Sequence, residues 1–379
     1  MNKHLQRWQN YAEYHASLDN YLQSLRQYQA DQQRRLAEEQ RRKEEAEQRR
    51  LAEEQRRKEE AERRRLAEEQ RRREEAERQQ QNMEVRIQAA QTIIDWAVAR
   101  GVPRKNFPAN AQALLAWETL NLSNLYNGNG NLPEAIGYLT NLKRLALQSS
   151  YISNLPDSIG NLVNLQRLDL SMNSLNTIPN SIGNLVNLQQ LDLGLNPLRI
   201  IPNSIGNLVN LQQLDLSSNL LKNIPDSISN LANLQELNLN YNSLQNLPDS
   251  IGNLVNLQIL YLNNNTLRNL PDSIGNLVNL QQLYLYNNPL QSLPNSIGNL
   301  VNLQELRLLN NLLQSLPDSI VNLQQLETLC LINNKLTDLP AGMNKLKNLR
   351  WLYVSGNKNL PLFKCLYIRL RTYIYEKPL

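Results

Sequence analysis

Between residues 119 and 360 the apolar positions recur on a frame of 23 residues, each frame reading L-x-x-L-x-L-x-x-N-x-L. Leu165, Leu168, Leu170, Asn173 and Leu175 fill one frame, and Leu188, Leu191, Leu193, Asn196 and Leu198 fill the next. The series runs on to Leu349, Leu352, Val354 and Asn357. Ten prolines, from Pro133 and Pro156 through to Pro317 and Pro340, keep the same 23-residue spacing. A period of this size marks a stack of units, none of which can bury its apolar side alone. In the L-x-L segment apolar and polar residues alternate, which predicts a short strand with Leu168 and Leu170 inward and Asp169 outward. One such strand per unit pairs with its neighbours in a parallel sheet. The asparagines (Asn173, Asn196, Asn219, Asn242, Asn265, Asn288, Asn311, Asn334, Asn357) fall where the chain turns out of the strand. Leu-Pro-Asp-Ser-Ile then opens the opposite side, where Asp or Ser is placed to cap a short helical turn. Gly160, Gly183 and Gly206 follow, but Ser229 and Val321 replace them in later units, so a positive φ is not required there. Ile159, Leu162 and Leu165 close the core behind the strand.

This pattern resembles the leucine-rich repeat family from about 119 to 360. The LPxSIGNLxNLxxL spacing looks most like the 23-residue intracellular class, which includes Ras-suppressor-like scaffolds and some bacterial repeat proteins. The resemblance implies an α/β solenoid: a leucine-rich repeat horseshoe with a parallel concave β-sheet. It also implies that the asparagines lie inside, their amides bonded to neighbouring backbone, since a buried amide left unpaired costs several kcal/mol. By family analogy a small GTPase or other signalling protein is one class of partner.

A different periodicity governs the N-terminal part. Residues 34–78 are three near-identical 15-residue units beginning RRLAEEQRRKEEAEQ, without Gly or Pro. Opposite charges recur four residues apart, as in Arg41/Glu45 and Glu39/Lys43, and each such pair adds roughly 0.2–0.5 kcal/mol to a helix. Each unit offers one Leu and two Ala, too few apolar positions for a strong coiled coil. The segment to residue 81 is a solvated single helix or a weak coiled coil, whose 45 repeat residues span roughly 68 Å at about 1.5 Å each. Residues 1–33 place Leu5, Trp8, Ala12, His15, Leu18, Leu22 and Leu25 near 3-4 spacing, an amphipathic helix whose apolar side needs a cover. From 82 to 118 a helix with Ile87, Ala90, Ile94, Ala97 and Val98 on one side, stopped by Gly101, and a second helix at AQALLAWETL form an N-terminal cap. The cap leads into an imperfect first repeat around Leu120, Leu122 and Asn127. Residues 361–379 break the register, Pro361 following Pro340 by 21, and Phe363, Leu366, Ile368 and Leu370 are available to cover the last repeat.

Composition narrows the chemistry. Of 379 residues, two are His and two are Cys (Cys330 and Cys365), which removes zinc clusters and a disulfide framework and suits a reducing compartment. Cys365 is expected to pack in the C-terminal cap. The net charge of +5 invites a nucleic-acid reading. Its distribution argues against one: residues 119–360 sum to −1, and 34–78 hold 17 basic against 15 acidic residues. No P-loop GxxxxGK[ST], kinase HRD, GxSxG or HExxH occurs, and no His in the repeats is there to activate Cys330. A ubiquitin-ligase domain of the kind attached to some bacterial leucine-rich repeat effectors needs more than the 19 residues after 360. A non-enzymatic protein without cofactor or metal is expected. Without an apolar run of 18 residues or a signal-peptide core, it is expected in the cytoplasm, or exported without a cleaved Sec signal, as a host-translocated effector would be.

The outward strand positions are the candidate site. The column between the two core leucines reads Asp169, Asp192, Asp215, Asn238, Tyr261, Tyr284, Arg307, Cys330, Tyr353. Strands about 4.8 Å apart make the three aspartates a negative stripe, which suggests that something other than stability keeps them. Tyr241, Tyr261, Tyr284 and Tyr286 make an aromatic patch beside it, and Arg307, Trp351 and Tyr353 extend the face. Tyrosines among a few charges suit protein recognition. The leading expectation is a scaffold binding a protein partner on this face; the alternative is an oligomeric structural protein assembled through residues 1–81.

Overall fold

The computed structural model describes residues 2–125 and 130–361, and the backbone of 373–375. Asn127, Phe363, Cys365, Leu366, Ile368 and Leu370, to which cap or first-repeat roles were assigned, lie outside the described residues. The chain divides into two compact units, residues 1–82 and 83–379.

Helix α1 is Asn2–Val98. In the first unit its stability comes from the charge lattice. Arg41–Glu45 at 3.1 Å, Lys43–Glu39 at 2.7 Å and Arg72–Glu68 at 2.7 Å are all pairs four residues apart, with both partners exposed.

Among the described residues of the second unit, twelve strands form one parallel sheet in chain order. They are β1 (Thr119–Asn121), β2 (Arg144–Ala146), β3 (Arg167–Asp169), β4 (Gln190–Asp192), β5 (Gln213–Asp215), β6 (Glu236–Asn238), β7 (Ile259–Tyr261), β8 (Gln282–Tyr284), β9 (Glu305–Arg307), β10 (Thr328–Cys330), β11 (Trp351–Tyr353) and β12 (Tyr373–Tyr375). From β2 to β11 residues 23 apart pair directly, as Leu168↔Leu191 and Asp169↔Asp192 do. The inward leucines of these strands are fully or almost fully buried, and Ile159, Leu162 and Leu165 close the core behind β3 as the alternation predicts.

At the N-terminal end Ala90, Ile94 and Ala97 join this core, while Ile87 is half-buried and Val98 is exposed. The second cap helix differs from expectation. Only Ala111–Leu114 is helical, held by Asn110 Oδ1 accepting from the Ala113 N–H at 2.9 Å, and Thr119–Asn121 is already strand. The apolar alternation of Leu120 and Leu122, satisfied by pairing with β2, outweighs the helix-forming composition of AQALLAWETL.

The opposite side is a row of five-residue 3-10 turns such as Asp157–Asn161. The capping expectation fails there. Pro156 and its equivalents hold the position before each turn at φ near −70°, and Asp157 stands first inside it without a side-chain cap bond. The glycines are explained by space: a Cβ on Gly183 would lie 2.5 Å from the Ser204 carbonyl oxygen of the next repeat.

Nine asparagines fix each unit to its neighbours. Asn219 is representative: its Nδ2 donates to the carbonyls of Leu193, Leu216 and Ser217 at 3.0, 3.0 and 3.1 Å. Its Oδ1 accepts the Leu198 N–H of the preceding unit at 3.0 Å. The residue before each asparagine takes a positive φ, near 55° at Met172, Leu195, Ser218, Tyr241 and Asn264 and 77° at Gly356. A second amide row joins the turns, Asn187 Nδ2 donating to Val163 O at 2.8 Å and Asn210 to Val186 O at 2.8 Å. Asn219→Ala removes a hydrogen bond from four backbone groups, leaves the buried Leu198 N–H without an acceptor, and is expected to destabilise the repeats by about 3 kcal/mol. Urea denaturation followed by circular dichroism measures this; a midpoint equal to that of the unchanged chain would contradict the ladder's role.

Candidate functional site

The outward face of the sheet is where the residues free of packing duties stand in register. Strand pairing sets Asp169, Asp192 and Asp215 side by side on β3, β4 and β5, followed by Asn238, Tyr261, Tyr284 and Arg307 on β6 to β9. Arg167, Gln190, Gln213 and Glu236 form the adjacent column, and the two line a shallow depression of about 330 Å³.

The aspartates carry a structural duty that the alternation did not reveal. Asp169 Oδ1 accepts the Ser171 N–H at 3.0 Å and the Ser171 hydroxyl at 2.7 Å. Asp192 Oδ1 accepts the Gly194 N–H at 2.9 Å, and Asp215 Oδ1 the Ser217 N–H at 2.7 Å. Each carboxylate thus closes the chain's exit from its own strand, as Asn238 does by accepting from the Asn240 N–H at 3.1 Å. Stability therefore accounts for an acceptor at this position, and what it leaves unexplained is a charge. Gly194 bares the ground between two carboxylates, for a Cβ there would lie 3.2 Å from both Asp192 Oδ1 and Asp215 Oδ1. Burial pushes the Asp192 carboxyl up to about 6, the Gly194 N–H opposes the rise, and the charges of Asp215 and Asp169 add to it. Among the described residues no group of three or more His, Cys, Asp or Glu could hold a metal ion.

Beyond Asn238 the surface turns aromatic. The Tyr261 and Tyr284 rings stack with centroids 5.0 Å apart and planes 10° from parallel. The Tyr284 hydroxyl donates to Glu305 Oε2 at 2.8 Å and lies 3.0 Å from Gln282 Oε1. Glu305 also pairs with Arg307 at 2.5 Å, and the Arg307 guanidinium sits 5.5 Å from the Tyr284 ring centre. Burial raises the pKa of both stacked phenols; Glu305 adds to the rise at Tyr284 through its hydrogen bond and charge. They are held as flat, neutral, amphipathic rings.

Of the other two tyrosines, Tyr241 is exposed at the positive-φ turn after β6, and burial raises the pKa of Tyr286. Neither joins the stack. Trp351 and Tyr353 lie on β11, two strands beyond Arg307. Burial raises the Cys330 thiol above its ordinary range. Sequence reasoning missed Glu305 and Gln282, which fix the Tyr284 hydroxyl; their signal was present, since Glu305 stands in register with Gln282 one column away from Tyr284.

The leucine-rich repeat region family matches residues 113–240 and 222–312, and the leucine rich repeat family matches 301–358. No curated protein sequence matches the chain. Among solved structures, a leucine-rich repeat protein of Leptospira interrogans is 32% identical, covering 66% of this chain and 83% of its own, with a TM-score of 0.42. The plant peptide hormone receptor RGFR1, solved in complex with RGF2, is 34% identical with a TM-score of 0.54, covering 64% of this chain. This chain spans only 42% of that receptor chain. An internalin of Listeria monocytogenes shares the fold at 21% identity and a TM-score of 0.53, covering 75% of this chain and 93% of its own. No helix among the described residues is long and apolar enough to cross a membrane.

The Asp192 carboxyl gives the face a pH signature. A carboxyl whose folded pKa stands above its ordinary 3.8 favours the folded state while protonated, and that contribution is lost as pH rises through about 6. Asp192→Asn keeps the acceptor for Gly194 and removes the loss. At pH 7 the variant is expected to be more stable than the unchanged chain by about 1 kcal/mol, a value reduced for solvent screening. The difference is expected to vanish near pH 4. Thermal unfolding across pH 4–8 checks this, and a variant destabilised at pH 7 would contradict it.

Proposed function

The chain belongs to the leucine-rich repeat family, and from that premise we propose that its repeats bind a protein partner on the sheet face between Asp169 and Arg307. The family's fold generally serves protein–protein interaction. The observation that carries the assignment is the strand register, which joins a carboxylate row to a stacked tyrosine pair on one continuous surface.

The two halves suit different parts of one partner. The depression around Asp192 offers carboxylates to a lysine or arginine, and Gly194 clears the approach. The Tyr261–Tyr284 pair, pinned by Glu305, offers a rigid apolar plate of low conformational entropy, the kind of anchor that dominates binding energy. A polypeptide segment carrying a basic residue a few strand spacings from an apolar or aromatic one meets both. The plant peptide hormone receptor RGFR1, solved in complex with RGF2, supplies a parallel from a structurally similar chain. A scaffold role in signalling, with a small GTPase among the candidate partners, or an effector role, follows by family analogy. The reading involves no chemical step, cofactor or metal, and leaves the compartment open between cytoplasm and export.

Selection of displayed peptides on the full chain tests this. Enriched sequences are expected to pair Lys or Arg with an aromatic or large apolar residue. Their affinity for an Asp192→Asn/Tyr261→Ala/Tyr284→Ala variant is expected to fall by more than about tenfold, or 1.4 kcal/mol. Equal affinity for the unchanged chain and the variant would place binding elsewhere.

A further inference from the structure

Within the first unit, residues 2–33 differ from the charge lattice that follows. Every salt bridge of the first unit lies between Glu39 and Arg73 among the described residues, so none supports the helix before them. In place of charge pairs the segment exposes large apolar side chains. Tyr11, Tyr14, Leu18, Tyr21, Leu25 and Tyr28 are between 40% and 66% exposed. Their spacing alternates 3 and 4 without a break from 11 to 28. That is the seam of a two-stranded coiled coil: Tyr11, Leu18 and Leu25 on one heptad column, Tyr14, Tyr21 and Tyr28 on the other. The 3-4 series noted earlier from Leu5 and Trp8 shares Leu18 and Leu25 with this seam, and its other members lie along the flank.

We propose that this seam pairs with the same seam of a second copy of the chain, in parallel and in register, forming a left-handed coiled coil over residues 11–28. Three arguments select a second copy. A strict period of 3.5 on a 3.6-residue helix drifts by about 20° per heptad, so only a helix with the same period stays in contact along the stripe. In-register pairing sets Leu18 and Leu25 against their own copies and keeps the tyrosine hydroxyls at the rim, where water solvates them. The columns flanking the seam from residue 15 to 31 are Ser17, Ser24 and Asp31 on one side and His15, Leu22 and Gln29 on the other, so no row of like charges opposes pairing. Tyrosines burying about 150–250 Å² each, with the two leucines, bring the contact toward the roughly 800 Å² per partner of a specific association. Past residue 28 the heptad places Gln32 and Arg35 on the seam and the pairing ends, leaving the charged lattice solvated.

Sedimentation equilibrium of the full chain from 1 to 100 µM tests the proposal. The expected result is twice the chain mass, reduced to one chain mass by Leu18→Glu/Leu25→Glu, with the thermal transition of the repeats unmoved. Leu18→Cys in a Cys330→Ser/Cys365→Ser background is expected to yield a disulfide-linked pair on mild oxidation, which an antiparallel pair would not. A single-chain mass at 100 µM, or a mass unaffected by the Leu18→Glu/Leu25→Glu change, overturns the proposal. Oxidation that leaves the Leu18→Cys chains unlinked overturns it as well.

Discussion

Each turn of the solenoid leaves its strand by exposing backbone carbonyls and N–H groups that no strand neighbour can satisfy, and one buried amide per repeat satisfies them. Asn196 illustrates the constraint: it donates to Leu170 O in the preceding unit and to Leu193 O in its own, and accepts the Leu175 N–H. The side chain spans two repeats, so neither is satisfied without the other. The leucines behind it supply the driving force, but a leucine core alone tolerates sliding. The asparagine fixes the spacing at which β3 meets β4, and the outer row of Asn187 and Asn210 fixes it again on the turn side. Gly183, with no room for a Cβ against Ser204, marks how closely that spacing is held.

Because ladder and core hold the stack from inside, the outward strand positions are left to vary. Columns that would otherwise repeat change from Asp to Tyr to Arg along the sheet, and register makes neighbours of residues 23 apart. Even here stability retains a share, since the aspartates close their own strand exits. The distinction between acceptor and charge matters: Asn238 performs the closure without a charge, so the charge of Asp192 and its neighbours is the part available to a partner. The raised carboxyl of Asp192 is first the consequence of its burial, and the charges of Asp215 and Asp169 on the adjacent strands add to it.

Much of this was legible in the sequence because periodicity survives translation into structure almost unchanged. The 23-residue frame gave strand, turn and buried amide, and the outward columns read as they pair. What the sequence concealed depended on local geometry. AQALLAWETL has helical composition, yet strand pairing claims its end at Thr119. Asp157 looks like a cap, yet Pro156 already holds the preceding position. Of the partners of Tyr284, Gln282 lies one column away on the same strand and Glu305 one strand further on, a diagonal that linear reading does not favour. In the N-terminal helix two overlapping 3-4 series compete, the apolar side chains of both are exposed, and it is the unbroken alternation of 3 and 4 from Tyr11 to Tyr28 that marks the seam.

Native-state hydrogen exchange across the repeats addresses the ladder most directly. The N–H groups of Leu175, Leu198, Leu221 and Leu244 lie outside the strands, and only asparagine Oδ1 atoms accept from them among the described contacts. They are expected to exchange as slowly as the amides of Leu170 and Leu193, which follow the strands and donate to Asp192 O and Asp215 O of the next repeat, opening only when neighbouring repeats separate. Exchange at the rate of exposed turn amides, with the strand amides still protected, would show that the repeats hold their spacing without the asparagines and would contradict this account.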